Sequence, residues 1–267
     1  MEITTMNNYL DKVFDNPNKK AFIAFLTAGD PDADSTVKFI LEMMDKAGAD
    51  LIEIGIPFSD PTAEGVVIQE ANIRSLGNGM TTDGVFEIVK RVREQSEILL
   101  AFMTYVNPVF HYGYEKFFSK CEELGISAII IPDVPYEEKA EVEAPAKAHG
   151  VKVISMIAPT SESRIRQIAS EAEGFLYVVS SMGVTGVRSE IKTNLPAIVE
   201  SIRTVTAVPC AIGFGISTPE QAKAMASISD GAIVGSAIVK IIAKYGKDAA
   251  PYIREYVKSM KEAVEKA

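Results

Sequence analysis

Short apolar segments recur along this chain at intervals of about thirty residues. Each has the length and β-branched composition of a strand, and several are apolar at every position, as expected for strands covered on both faces. This regular spacing limits the possible folds more than any other feature of the sequence. The predicted strands are Ala21–Thr27, Asp50–Gly55, Ile98–Met103, Ala128–Ile131, Val151–Met156, Phe175–Ser180, Val208–Gly213 and Ala232–Gly235.

Helical patterns separate the predicted strands. Gly48 and Gly125 follow helical runs as C-terminal caps do, and Ser217–Glu220 has the cap-then-proline pattern of a helix start. Strands that alternate with helices predict a parallel sheet, and eight such units predict one (β/α)8 (TIM) barrel domain over residues 1–267. An open, doubly wound sheet is the alternative, which eight repeats disfavour. Residues Met1–Phe14 predict an extra helix that covers the barrel floor.

Composition and charge narrow the function classes. Hydrophobic residues make up 47% of the 267 residues, enough for a large core, and the net charge of −9 disfavours nonspecific binding to nucleic acid. No apolar run approaches the roughly 20 residues of a membrane helix, and the N-terminus lacks a signal-peptide pattern. Cys121 and Cys210 are too few and too far apart for a disulfide framework or a zinc site. The predicted location is therefore the cytoplasm.

Glycines at the ends of the last predicted strands indicate an anion site. Gly213-Phe214-Gly215 ends the seventh strand and Gly235-Ser236 ends the eighth, just before a helical pattern over Ala237–Tyr245. In a barrel, these two loops and a short extra helix commonly bind phosphate through backbone N–H groups. Gly183 and Gly186, after the sixth strand, would close the site. Each glycine alone indicates only a turn, so the prediction depends on the combination.

Two carboxylates follow each other around the second predicted strand. Glu53 interrupts an apolar run and shares its face with Leu51, which directs it into the barrel interior. A desolvated carboxylate there has a raised pKa and can exchange protons near neutral pH. The alternative is a structural glutamate tied to a cation or hydroxyl. Glu64 precedes a helical pattern, where acids are common, and Asp60 before Pro61 predicts a turn.

Other candidate residues are weaker. Tyr177 and Phe214 either contact a substrate or fill the core, and Tyr105 is predicted to fill the core. Neither His111 nor His149 is assigned any chemistry. The sequence shows no strand lysine suited to a Schiff base and no His/Cys/Asp cluster suited to a metal. If a carbon–carbon bond is broken, the electron sink must therefore belong to the substrate.

Six motifs, spread in order over essentially the whole chain, together resemble the tryptophan synthase alpha chain family. This resemblance implies a (β/α)8 barrel that cleaves indole-3-glycerol phosphate to indole and glyceraldehyde 3-phosphate without a cofactor of its own. It also implies a partner beta chain that holds pyridoxal phosphate, in an α2β2 heterotetramer. The motifs are Glu53–Pro61, Thr104–Pro108, Ile131–Pro135, Gly183–Gly186, Gly213–Ser217 and Gly231–Val239.

The resemblance also implies roles for individual residues. Glu53 matches the family's acid/base glutamate, and Glu64 occupies the position of a second acid that faces the indole nitrogen. The loops around Asp60 and Thr185 match two closing lids that signal to the beta chain. The phosphate cup corresponds to Gly186, Gly215, Gly235 and Ser236, and the indole contacts to Phe22, Met103, Ile131 and Phe214.

The second acid departs from the family pattern. The family usually has aspartate there, whereas this chain has Glu64, which is one methylene longer. Three alternatives stay open: a lyase that works alone, an alpha-like regulatory subunit with weak catalysis, and another phosphosugar enzyme such as an isomerase. Glu64 favours the second of them. Retention of Glu53 and of the glycine set argues against a purely regulatory subunit.

Overall fold

A computed structural model describes residues 9–16, 19–180 and 194–267. Within these residues, nine strands form one sheet in which every pairing is parallel. The strands are β1 (Ala21–Thr27), β2 (Leu51–Gly55), β3 (Leu100–Met103), β4 (Ala128–Ile130), β5 (Lys152–Val153), β6 (Ser155–Ile157), β7 (Leu176–Val179), β8 (Cys210–Gly213) and β9 (Gly231–Val234).

The sheet closes into a barrel through the fifth predicted strand. The strand order is β5-β4-β3-β2-β1-β9-β8-β7-β6, and its two ends are separated in sequence only by Ile154. β5 pairs with β4, and β6 pairs with β7. The prediction of one strand over Val151–Met156 is therefore wrong in detail. Strands of a barrel are tilted and staggered, so the two halves of this run bond to different neighbours. The (β/α)8 barrel itself is confirmed.

Helices follow the strands and form the outer layer. One helix of this layer begins at Thr82, where the Thr81 hydroxyl accepts from the N–H of Gly84 and caps the helix. Among the described residues, no helix is both long and apolar enough to cross a bilayer. The α-helices are α1 (Tyr9–Lys12), α2 (Ala33–Leu41), α3 (Val66–Gly77), α4 (Thr82–Arg93), α5 (Val106–Tyr112), α6 (Tyr114–Glu123), α7 (Lys139–Ala148), α8 (Glu162–Ser170), α9 (Leu195–Arg203), α10 (Pro219–Ile228), α11 (Ser236–Tyr245) and α12 (Ala250–Val264).

The predicted helix ends are confirmed by the backbone. Gly48 and Gly125 have φ values of +78° and +64°, a left-handed conformation that glycine adopts at little cost. Thr218 and Gln221 form a reciprocal capping box at the start of α10. The helix predicted after the last strand is α11, which begins at Ser236, one residue before the predicted start.

Alternate residues of each strand face two different cores. In β1, Phe22 belongs to the cluster between barrel and helices, whereas Ile23 and Phe25 belong to the cluster inside the barrel. Leu10 of α1 is fully buried in the interior cluster, and Phe14 contacts Phe175 with ring centroids 5.6 Å apart. Since Phe175 precedes β7, the described part of the N-terminal segment covers the barrel floor, as predicted.

A buried ion pair fixes α12 to the floor. Oδ2 of Asp50 accepts from Nζ of Lys261 at 2.6 Å and from the N–H of Phe22 at 2.8 Å. The side chains of Lys261 and Asp50 are only 7% and 10% exposed. We expect Asp50→Ala to lower the free energy of unfolding by about 3 kcal/mol, because it leaves a buried ammonium poorly compensated. Thermal unfolding followed by circular dichroism measures this.

Lys19→Ala provides the matched control for this stability prediction. Lys19 also contacts Asp50, at 2.9 Å, but its side chain is 49% exposed. Exposed ion pairs contribute about 1 kcal/mol or less, so this variant should unfold nearly as the wild type does. Equal losses in the two variants would show that burial of the Lys261 pair does not determine the effect.

Candidate active site

Glu53 lies in the middle of β2 and points into the barrel. Its neighbour Leu51 belongs to the interior cluster, whereas Ile52 and Ile54 belong to the outer one. Glu53 is fully buried, and neither carboxylate oxygen has a hydrogen-bond partner among the residues that the structure describes. Burial raises the pKa of Glu53 to about 8. The alternative interpretation, a structural glutamate tied to a cation or hydroxyl, is therefore not supported in the described part of the chain.

Glu53 forms part of the wall of a cavity at the carboxyl end of the barrel. The empty space of the cavity is about 470 Å³, including the open solvent at its mouth. Apolar side chains make most of its wall, and the polar or charged side chains that line it are those of Glu53, Glu64, Tyr177 and Ser236. The lining residues are Phe25, Glu53, Glu64, Ile68, Met103, Tyr177, Phe214, Gly215, Ile216, Ile233, Gly235 and Ser236.

Glu64 brings a second carboxylate to the same cavity. It precedes Gly65, the N-terminal cap of α3, and is only 6% exposed. Its Oε2 accepts from Nδ2 of Asn72 at 2.9 Å, and the hydroxyl of Tyr105 also hydrogen-bonds to it. Burial raises the pKa of Glu64 to about 7, and the two hydrogen bonds oppose that rise. Two acids with raised pKa values thus share one largely apolar cavity.

A glycine-rich rim forms another part of the wall. Phe214 and Gly215 have φ values of +73° and +77°, so two consecutive left-handed residues follow β8. This conformation is unfavourable for a bulky residue such as Phe214 and is typical of functional loops. Gly235 caps α11 and Ser236 is its first residue. The free N–H groups of a first helical turn favour an anion at this rim.

Aromatic rings line the space between the acids and the rim. Tyr177 and Phe214 contact edge to face with centroids 5.9 Å apart. A Cβ atom added at Gly213 would lie 2.6 Å from the Tyr177 hydroxyl oxygen, so this close approach requires glycine. Burial, and then the Glu53 charge, raise the pKa of Tyr177 well above its usual value. Its hydroxyl therefore stays protonated beside Glu53.

The structure does not place every predicted residue in this cavity. The prediction that Phe22 contacts the indole is wrong, because its even position in β1 turns it toward the helix layer. Phe25 lines the cavity instead. Ile131 lines a neighbouring cavity that shares Phe214 with this one. Asp60 is exposed in the loop between β2 and α3.

Other predicted residues have different outcomes. Met103 lines the cavity as expected. Gly186 and Thr185 lie outside the described residues. Among the described residues, no group of three or more His, Cys, Asp or Glu side chains could hold a metal ion.

Sequence reasoning missed several residues of the site. Phe25 shares the strand parity of Ile23 in the interior, which the uniformly apolar first strand does not reveal. Tyr105 was predicted to fill the core, yet its hydroxyl contacts Glu64 and accepts from the N–H of Ala63 at 3.1 Å. Nothing in the sequence indicated the contact of Asn72 with Glu64, since only the fold brings its amide to that carboxylate.

Comparisons with known proteins agree with this geometry. A family model described as tryptophan synthase alpha chain matches residues 12–267. The tryptophan synthase alpha chain of Lacticaseibacillus casei is 47% identical over 248 residues, which cover 93% of each chain.

Two solved structures extend the comparison. The crystal structure of the tryptophan synthase alpha chain from Legionella pneumophila has a TM-score of 0.85 and 34% identity, over 99% of this chain and 97% of that one. A chain of the tryptophan synthase α2β2 complex from Pyrococcus furiosus has a TM-score of 0.82 and 33% identity, over 91% and 98%. With the family model and the relative from Lacticaseibacillus, they show that this chain belongs to the tryptophan synthase alpha chain family.

Proposed function

We propose that this chain is a lyase that cleaves indole-3-glycerol phosphate to indole and D-glyceraldehyde 3-phosphate, in L-tryptophan biosynthesis. One observation carries the proposal: the buried carboxyl of Glu53, which has no hydrogen-bond partner among the described residues, shares a largely apolar cavity with a second acid and a glycine-lined helix N-terminus. A substrate with an aromatic ring at one end and a phosphate at the other matches this distribution of groups.

The phosphate is assigned to the rim formed by Gly215, Gly235 and Ser236. Backbone N–H groups of the first turn of α11 and the Ser236 hydroxyl supply donors, and the helix dipole favours the negative charge. This mode of binding needs no lysine or arginine, which fits a chain of net charge −9. By family resemblance, Gly186 completes the cup.

The indole ring is assigned to the apolar wall near Tyr177, Phe214 and Met103. In this position its C3 faces Glu53 and its N–H faces Glu64. Since Glu53 is protonated near neutral pH, it can donate its proton to C3. The ring then carries a positive charge and accepts the electron pair of the bond that breaks between C3 and the side chain.

Proton transfer back to Glu53 completes the reaction. As the carbon–carbon bond breaks, the adjacent side-chain hydroxyl becomes the aldehyde of glyceraldehyde 3-phosphate and gives its proton to the Glu53 carboxylate. The Glu64 carboxylate accepts a hydrogen bond from the ring N–H and stabilises the positive charge. One proton enters and one leaves through the same side chain, so Glu53 ends as it began.

The proposal extends to the partner. The chain assembles with a tryptophan synthase beta chain, which holds pyridoxal phosphate, while this chain uses no cofactor. The α2β2 complex of Pyrococcus furiosus supports the assembly. The loops at Asp60 and Thr185 are proposed as the lids that communicate with the partner. Residues 1–267 are proposed to form one barrel domain, located in the cytoplasm, where the buried free thiols of Cys121 and Cys210 stay reduced.

The direct test is a steady-state assay of indole release from indole-3-glycerol phosphate. We expect turnover that increases when a beta chain is added and is lost when the substrate lacks its phosphate. Turnover that is unaffected by a beta chain would favour a lyase that works alone. No release under either condition would refute the proposed activity.

We expect kcat/KM to be bell-shaped between about pH 6 and pH 9. Glu64 must be ionised to stabilise the ring charge, so activity rises as pH increases through its pKa of about 7. Glu53 must be protonated for the first step, so activity falls as pH increases through its pKa of about 8. Initial rates at fixed ionic strength measure the profile, and Glu64→Gln should lose the acidic limb. A profile that is flat across this range would contradict both assignments.

A further inference from the structure

Asn72 is hydrogen-bonded to the second carboxylate, that of Glu64. Its side chain is 4% exposed, and Nδ2 donates to Oε2 of Glu64 at 2.9 Å, in a buried bond that spans eight residues. The neighbouring Gln69 donates to the main-chain oxygen of Glu64 at 2.6 Å. Helix α3 therefore restrains both the backbone and the side chain of this acid.

Helix α3 is itself fixed to the barrel. Arg74 makes two bonds of 2.8 Å to the buried carboxylate of Asp30, and Ser75 donates to the carbonyl oxygen of Ala28 at 2.6 Å. Asp30 and Ala28 both follow β1. These contacts prevent α3 from rotating or sliding, so the Asn72 amide is presented to Glu64 from a rigid element.

We propose that Asn72 is the positioning residue for Glu64, holding one carboxylate oxygen so that the other faces the ring nitrogen of the substrate. The inference deepens the proposed function and depends on it. A glutamate has one more rotatable bond than an aspartate, and in a largely apolar cavity only a specific donor selects one rotamer. Asn72 supplies such a donor, in addition to the hydroxyl of Tyr105.

Asn72 has its own effect on the pKa of Glu64, beside that of the titratable groups around it. The titratable side chains that share its site are Tyr105, whose hydroxyl also bonds to Glu64, and Glu53 and Tyr177, which line the same cavity. Arg74 of the same helix is paired with Asp30. The Asn72 amide favours the charged form of Glu64, so its removal should raise the pH at which Glu64 ionises.

A double-variant cycle tests the proposal. We expect Asn72→Ala to lower kcat about 10- to 100-fold with little change in KM, because the charge that Glu64 stabilises develops only in the transition state. In a Glu64→Gln background the same substitution should have almost no effect. Asn72→Leu keeps the side-chain volume but lacks the donor. It should lower kcat as Asn72→Ala does, so that loss of the donor is distinguished from destabilisation by a cavity.

A second readout does not depend on turnover. The ¹³C carboxyl resonance of Glu64 should titrate about one pH unit higher in Asn72→Leu than in the wild type, and the acidic limb of the rate profile should move with it. Asn78→Ala is the matched control, because Asn78 is the C-terminal cap of the same helix and its side chain donates to the backbone oxygen of Pro31. It should leave the titration and the rate unchanged.

The outcomes separate the two levels of inference. A wild-type chain that releases no indole refutes the proposed function. If the wild type is active but Asn72→Ala lowers kcat as much in the Glu64→Gln background as in the wild-type background, the positioning role is overturned. An unshifted Glu64 titration in Asn72→Leu would overturn it as well.

Discussion

Glu53→Gln is expected to lower kcat for indole release by about 10³- to 10⁴-fold, at the upper end of what general acid–base catalysis contributes. The large effect follows because one side chain donates the proton to C3 and accepts the proton of the hydroxyl. Glutamine keeps the shape but can do neither. Since the phosphate rim is untouched, KM should change little.

Stability measurements distinguish this loss from misfolding. The unfolded chain ionises Glu53 near its ordinary pKa of 4.5, whereas the folded chain does so near 8. Ionisation therefore favours unfolding as pH rises between these values, and Glu53→Gln removes that contribution. We expect the variant to lose less thermal stability than the wild type between pH 5 and pH 8. Glu70→Gln, an exposed change on α3, should alter neither activity nor this slope.

Glu64→Ala is expected to lower kcat by about 10²- to 10³-fold, the cost of removing one preorganised electrostatic partner of a transition state. Glu64 stabilises charge on a ring that is neutral in the bound substrate, so the loss should appear in kcat rather than KM. Steady-state kinetics with purified variants measure this, with circular dichroism to confirm folding.

A modified substrate provides the matched control for Glu64. An analogue methylated on the indole nitrogen cannot donate a hydrogen bond. The wild type should therefore lose most of its advantage over Glu64→Ala with this substrate. If the ratio between the two enzymes stays the same for both substrates, Glu64 does not act on the ring nitrogen.

The barrel and the direction of Glu53 were predictable from local rules. Eight apolar runs separated by helices leave few arrangements other than a closed parallel sheet. Side chains alternate strictly along a strand, so the isoleucines around Glu53 were enough to assign it to the interior. The glycines after β8 and β9 were likewise placed together at one rim, because carboxyl ends of parallel strands meet there.

The remaining features depend on the tertiary structure. The first strand is apolar at every position, so its sequence does not show whether Phe22 or Phe25 faces inward; the pairing of Phe25 with Glu53 decides it. The division of the fifth run follows from barrel stagger. The contacts of Asn72 and Tyr105 with Glu64 join residues that only the folded chain brings together.

The central claim is that a single aromatic phosphoester spans the cavity from Glu53 and Glu64 to the glycine rim. A crystal structure of the Glu53→Gln variant soaked with indole-3-glycerol phosphate tests it most directly. We predict the phosphate at the N–H groups near Gly215, Gly235 and Ser236, with indole C3 beside residue 53. A phosphate bound elsewhere, or a ring outside this cavity, would contradict the account.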